Sequence, residues 1–136
     1  MDKIKLAITG CMGRMGQQLI KTAKKDKSIR LVSLTENRLI KRKVSGIMPE
    51  LNTEKALNKA DVVIDFTSPE CTFEVLKLAS KLKKRLIIGT TGFSKKEEQL
   101  IKKFSKNIPI LKAGNMSLGI NLLMYLTEIT SSSLGN

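Results

Sequence analysis

The chain has 136 residues, room for one self-sufficient domain, and its 41% hydrophobic content is globular rather than disordered. Its 25 basic and 12 acidic residues give a net charge of +13 that would suit an anionic partner. The basic residues are mostly lysines spread over helical segments, however, and the one tyrosine and four phenylalanines do not interleave with them, which argues against nucleic acid.

No stretch reaches the roughly 18 apolar residues of a membrane span, and the N-terminus has no cleavable apolar run. The cysteines, Cys11 and Cys71, make no disulfide framework and fit a reducing cytoplasm. In chain order, Lys3–Thr9 (KIKLAIT) reads as a strand, then comes a glycine turn and a helix from about Gly13 to Lys25. Arg30–Thr35 is a second strand, and Glu36–Asn52 is mostly loop, interrupted by Gly46 and Pro49. A short helix (TEKALNK) precedes a third strand, Asp61–Phe66. Ser68 then caps a helix with Pro69 at its first position, where the missing N–H costs nothing, and Phe73, Leu76 and Ala79 recur at helical spacing. Arg85–Gly89 is the fourth strand, Ser94 and Glu97 form a capping box, and Ile108–Leu111 is the fifth strand. A last, strongly apolar helix covers SLGINLLMYLTEITSS. Short β-branched runs separated by helices predict an α/β fold: a doubly wound parallel sheet of about five strands with helices on both faces.

Such sheets bind ligands at the carboxyl ends of their strands. After the first strand, Gly10, Gly13 and Gly16 stand where strand hands over to helix, the last two at the spacing of a dinucleotide fingerprint and the first one residue early. Gly10 permits the turn, Gly13 lets a pyrophosphate approach the backbone, and Gly16 lets the helix pack close. The helix N-terminus offers free N–H groups to an anion, with Arg14 beside it. Glu36 closes the second strand, 20 residues after Gly16, where a carboxylate accepts from the adenosine ribose hydroxyls. Arg38, Lys41, Arg42 and Lys43 follow and attract a 2′-phosphate that Glu36 repels, so the choice between NADH and NADPH stays open.

The stretches GCMGRMG, DFTSPE, IGTTGF and AGNMSLGIN occur in the order and spacing of the 4-hydroxy-tetrahydrodipicolinate (dihydrodipicolinate) reductase family, and through them nearly the whole chain resembles that family. The resemblance implies a Rossmann-like domain over residues 1–116 and an NAD(P)H-dependent oxidoreductase of diaminopimelate and lysine biosynthesis, located in the cytoplasm. It implies that Gly10, Cys11, Met12, Gly13, Arg14, Met15 and Gly16 hold the pyrophosphate and Glu36 the ribose. Family members often carry Arg directly after that carboxylate; here Asn37 intervenes before Arg38. Gly89, Thr90 and Thr91 resemble the segment contacting the nicotinamide half, with Thr91 also matching a substrate contact. Ala113, Gly114, Asn115 and Met116 match a second nicotinamide-side segment, in which an aromatic residue is common at the position of Met116.

In the family a second domain follows, with an "HH…K" and an "SGT" motif supplying the proton and gripping the substrate. This sequence stops at Asn136, before those motifs, and contains no histidine. Hydride reduction needs an acid to protonate the partner atom, and Lys112, the only lysine near the end of the fifth strand, reads as a surface residue. The expectations are therefore no catalytic acid and no metal site in this chain, and no activity by the chain alone. Residues 117–136 read as a terminal apolar helix leading to an absent substrate domain, and self-association is expected through 117–133, because a helix apolar on most sides expects burial. The alternatives are a cofactor domain completed by another chain, a dinucleotide-binding or sensing module, a degenerate remnant, and a lysine-rich nucleic-acid binder.

Overall fold

The computed structural model describes residues 2–135; Met1 and Asn136, the outermost residues of the two expected segments, lie outside them. Along the chain run β1 (Ile4–Thr9), α1 (Arg14–Ala23), β2 (Ile29–Glu36), β3 (Glu50–Leu51), α2 (Glu54–Asn58), β4 (Val62–Asp65), α3 (Pro69–Lys81), β5 (Arg85–Ile88), α4 (Lys95–Phe104), β6 (Ile110–Lys112) and α5 (Leu118–Leu134). All strand pairs are parallel, in the spatial order β3-β2-β1-β4-β5-β6. This is the 3-2-1-4-5-6 order of a Rossmann-like doubly wound sheet, as expected.

Among the described residues the sheet has six strands where about five were expected. The extra one, β3, lies inside the stretch read as loop and adds only the pairs Thr35↔Glu50 and Glu36↔Leu51 to the outer side of β2. Two residues are too few to show an alternating pattern, and Pro49 immediately before them is tolerated only at an edge.

Both faces of the sheet are covered, which is why its strands read as continuous apolar runs. In β1, Leu6 and Ile8 pack with Ile20 and Ala23 of α1, while Ala7 packs on the other face with Leu57 of α2, Val75, Leu76 and Ala79 of α3, and Ile101 of α4. Burial of Val75 and Leu76 contributes on the order of 1.5–3 kcal/mol each and seats α3 on β4 and β5.

Local chemistry starts four of the five helices among the described residues. Hydroxyls of Thr53, Ser68, Ser94 and Ser117 accept from backbone N–H groups in the first turns of α2 to α5. Ser94 and Glu97 form the expected capping box. The helix α5 differs from the rest in burial: none of its residues is buried, and its large apolar residues are exposed, from Ile129 at 45% to Leu118 at 84%.

Candidate functional site

Between β1 and β4 the winding reverses: the chain leaves β1 for β2 on one side and later returns to β4 on the other. At such a switch point the strand ends diverge and leave a crevice. Here it is a cleft of about 560 Å³, lined by Gly10, Met12, Gly13, Glu36, Asn37, Arg38, Phe66, Thr67, Ser68 and Cys71. Six of these ten were singled out in the sequence, counting Asn37, and tertiary structure gathers them from two loops 20 or more residues apart.

The glycine turn is shaped by its three glycines in different ways. Gly10 has φ +67°, a left-handed conformation natural to glycine. The Gly13 N–H donates to the Gly10 carbonyl at 3.0 Å, and Gly13 then caps α1 with no side-chain hydrogen bond and no acidic residue in the first turn. The N–H groups of that turn therefore keep their donor capacity and positive dipole end, and the N-cap Gly13 itself lines the cleft. Gly16 is buried, and a Cβ there would stand 2.2 Å from the Gly10 carbonyl oxygen. The close packing expected of Gly16 is thus helix against glycine turn, rather than helix against strand.

Glu36, at the end of β2, crosses to the same turn: its Oε1 accepts the Met12 N–H at 2.7 Å. Below it the Cys11 N–H donates to the Thr35 carbonyl at 3.2 Å. The carboxylate is thereby held at the cleft wall, with Arg38 lining the same cleft. Cys11 does not line the cleft and is fully buried; burial, then the Glu36 carboxylate, push its thiol up to about 11. Burial likewise raises the thiol of Cys71. Both remain thiols at neutral pH and are not nucleophiles. Arg14 and Met15 are exposed on the first turn of α1, outside the cleft lining.

Of the expected nicotinamide-side residues, Gly89 and Thr90 back onto the cleft from beneath. A Cβ at Gly89 would lie 2.0 Å from the Phe66 ring, so only glycine lets that ring lie over the end of β5. The Thr90 side chain is buried, and its Oγ accepts the Thr67 N–H at 2.9 Å. Thr91 is exposed beyond it. Ala113 is tied to β5 by its N–H to the Ile88 carbonyl at 3.3 Å, Gly114 and Met116 are exposed, and the Asn115 Oδ1 accepts the Ser117 N–H at 2.9 Å. Lys112, read from the sequence as a surface residue, is half-buried: its Nζ pairs with Glu98 at 2.7 Å and lies 5.3 Å from the Phe93 ring centroid.

Sequence reasoning missed Asp65. This last residue of β4 is fully buried and is surrounded by hydroxyls of Thr9, Thr67, Thr72 and Thr90. The available signal was an acidic residue ending an apolar strand in VVIDFT, with threonines ending β1 and following β5.

No helix among the described residues is long and apolar enough to cross a membrane. The family model "Dihydrodipicolinate reductase, N-terminus" matches residues 4–116. A 4-hydroxy-tetrahydrodipicolinate reductase of Pelagibacter ubique (strain HTCC1062) is 68% identical over 134 residues, 98% of this chain and 52% of that protein. The one of Buchnera aphidicola subsp. Schizaphis graminum (strain Sg) is 44% identical over 145 residues, covering 97% of this chain and 52% of that protein. The chain spans about half the length of the curated relatives it matches. Among solved structures, a dipicolinate-bound dihydrodipicolinate reductase from Paenisporosarcina sp. TG-14 superposes with a TM-score of 0.78 at 27% identity, over 93% of this chain and 53% of that one.

Proposed function

We propose that this chain, which belongs to the dihydrodipicolinate reductase family, is the NAD(P)H-binding part of a cytoplasmic 4-hydroxy-tetrahydrodipicolinate reductase. One observation carries the reading: Glu36 is held by the Met12 N–H at 2.7 Å beside a helix N-terminus with no side-chain cap, both facing one cleft. A dinucleotide fits this donor set. Free N–H groups of α1 suit a pyrophosphate, with Gly10 to Gly16 forming the turn and Arg14 adding charge. Glu36 suits a ribose diol, and Arg38 stands ready for a 2′-phosphate.

The bound cofactor supplies the hydride for reduction of the cyclic substrate. The chain's own residues bind and orient: Gly89, Thr90 and Thr91 with Ala113, Gly114, Asn115 and Met116 form the nicotinamide side, and Thr91 also faces substrate. The accompanying proton requires an acid. With no histidine in the sequence and Lys112 paired to Glu98, we assign that acid to the part of the reductase this chain does not span. Residues 1–116 are the dinucleotide domain and 117–136 the connection toward the substrate-binding part.

Calorimetric titration at physiological salt tests the reading. NADH or NADPH should bind in the micromolar range, and no binding of either would refute it. Glu36→Ala should weaken NADH by about tenfold, the value of a charged hydrogen bond, and NADPH by less, because the 2′-phosphate is freed from a carboxylate. A larger loss for NADPH would mean that Glu36 does not meet the ribose.

A second copy of the chain covers α5 in this proposal, since a continuous apolar helix surface of this kind drives association in water. Light scattering of the purified chain should give at least twice the monomer mass, and Leu123→Glu should return it to monomer. A monomeric wild-type chain would show that α5 is not a self-association surface.

A further inference from the structure

We propose that Asp65 is a positioning residue, whose carboxylate sets the backbone of Gly89–Thr91 through a hub of threonine hydroxyls; this rests on the dinucleotide reading above. Asp65 is fully buried at the end of β4. Its Oδ1 accepts the hydroxyls of Thr9 at 2.5 Å and Thr67 at 2.7 Å. Its Oδ2 accepts those of Thr72, from α3, and of Thr90 at 3.1 Å. None of the ion pairs among the described residues involves Asp65.

A buried carboxylate without a cation is costly unless its acceptor sites are filled. A carboxylate has about four such sites, and four hydroxyls fill them here. An apolar residue would pack at this place with less desolvation cost, so what the hub returns is geometry. Thr9 lies in β1 and is already held by ladders on both sides, in register with Thr35 and Asp65. Thr67 and Thr90 lie beyond the ladders, because β4 ends at Asp65 and β5 at Ile88. One backbone bond continues there, from the Gly89 N–H to the Asp65 carbonyl at 2.9 Å. The orientation of Thr90 is set instead by its hydroxyl on Asp65 and by the Thr67 N–H on that hydroxyl. The hub thus acts on the nicotinamide-side segment more than on the glycine turn or Glu36, which are anchored by their own backbone bonds.

The test compares NADH with ADP-ribose, which lacks the nicotinamide, in calorimetric titrations of the full chain. Asp65→Asn keeps the shape but turns acceptors into a donor facing hydroxyls. Thr72→Val is milder, lies outside the cleft lining, and keeps the test usable if Asp65→Asn does not fold. Both should weaken NADH about tenfold, as for a lost bond to a buried charged group, while ADP-ribose changes less than twofold; Thr72→Ser should restore NADH binding. Equal losses for the two ligands, no loss for either, or failure of Thr72→Ser to restore would overturn the inference. Amide hydrogen exchange of the ligand-free protein separates this from the dinucleotide reading. Faster exchange at Thr67 and Gly89, the hydrogen-bonded amides of these two turns, with β1 unchanged supports the hub even in a chain that binds no dinucleotide, and unchanged exchange at those two amides overturns it.

Discussion

Gly16→Ala should lower the thermal unfolding midpoint by roughly 10 °C, using the usual conversion of about 3–5 °C per kcal/mol for a domain of this size. In an ordinary helix interior the same change would stabilise by up to about 1 kcal/mol. Here the new Cβ would stand 2.2 Å from the Gly10 carbonyl oxygen and 2.9 Å from the Cys11 Cα, main-chain atoms that have no rotamer to change. The turn cannot retreat either. The Cys11 N–H is bonded to Thr35, and the methyl of Thr67 lies within 2.6 Å of where a Gly10 Cβ would be. α1 must therefore lift off the turn and loosen Ile20 and Ala23 from the sheet. Overpacking costs typically about 1–3 kcal/mol, and a 2.2 Å approach to main-chain atoms belongs at the upper end of that range, which outweighs the gain in helix propensity. A midpoint within 2 °C of wild type, followed by circular dichroism, would show that the contact between helix and turn is not tight.

The second large effect falls on binding while sparing the fold. Gly13→Asp should remove measurable NADH binding, whereas the unfolding midpoint stays close to wild type. The backbone at Gly13 is extended (φ −70°, ψ 163°), a conformation open to aspartate, and aspartate is a favoured N-cap residue. The one atom within 4 Å of its Cβ is the Gly10 carbonyl oxygen at 3.3 Å, a far looser contact than the 2.2 Å at Gly16, and a shift of a few tenths of an ångström at Gly13 itself relieves it without moving the turn. Its carboxylate, however, would take the first-turn N–H groups that we assign to the pyrophosphate. At 4 Å and an effective dielectric constant of 20, two like unit charges repel by about 4 kcal/mol, roughly a thousandfold in Kd. Calorimetry and a melting curve on the same sample separate the two effects. An affinity within threefold of wild type would remove the pyrophosphate from the glycine turn.

The two variants differ because the two glycines serve different ends, and only part of that difference was legible in the sequence. The spacing of Gly10, Gly13 and Gly16 and the carboxylate at Glu36 were readable because a turn, a helix start and a strand end are each decided within a few residues. The same holds for Ser68 with Pro69 and for Ser94 with Glu97, whose capping chemistry acts over a single helical turn. Strand and helix alternation followed from apolar periodicity, and alternation implies a parallel α/β sheet, which five strands are too few to close into an eight-stranded barrel.

Other features rest on which strands become neighbours. β3 exists because β2 offers an unpaired edge at Thr35 and Glu36, not because Glu50–Leu51 has a pattern of its own. The bond from Met12 to Glu36 joins residues 24 apart in the sequence and forms only once β1 and β2 lie side by side. Thr90 belongs to the segment proposed for the nicotinamide half, and only the sheet shows that its side chain turns to Asp65, 25 residues earlier, while Thr91 stays outward. The Asp65 hub draws on β1, β4, α3 and the turns after β4 and β5, so no local window contains it. Apart from β3, the sequence by itself determined the order and kind of the elements and the chemistry at the first two strand ends, because capping, periodicity and glycine conformation are short-range. The tertiary structure alone decided which hydroxyls meet which carboxylate and which side chains reach the cleft, because those contacts depend on strand order across the sheet.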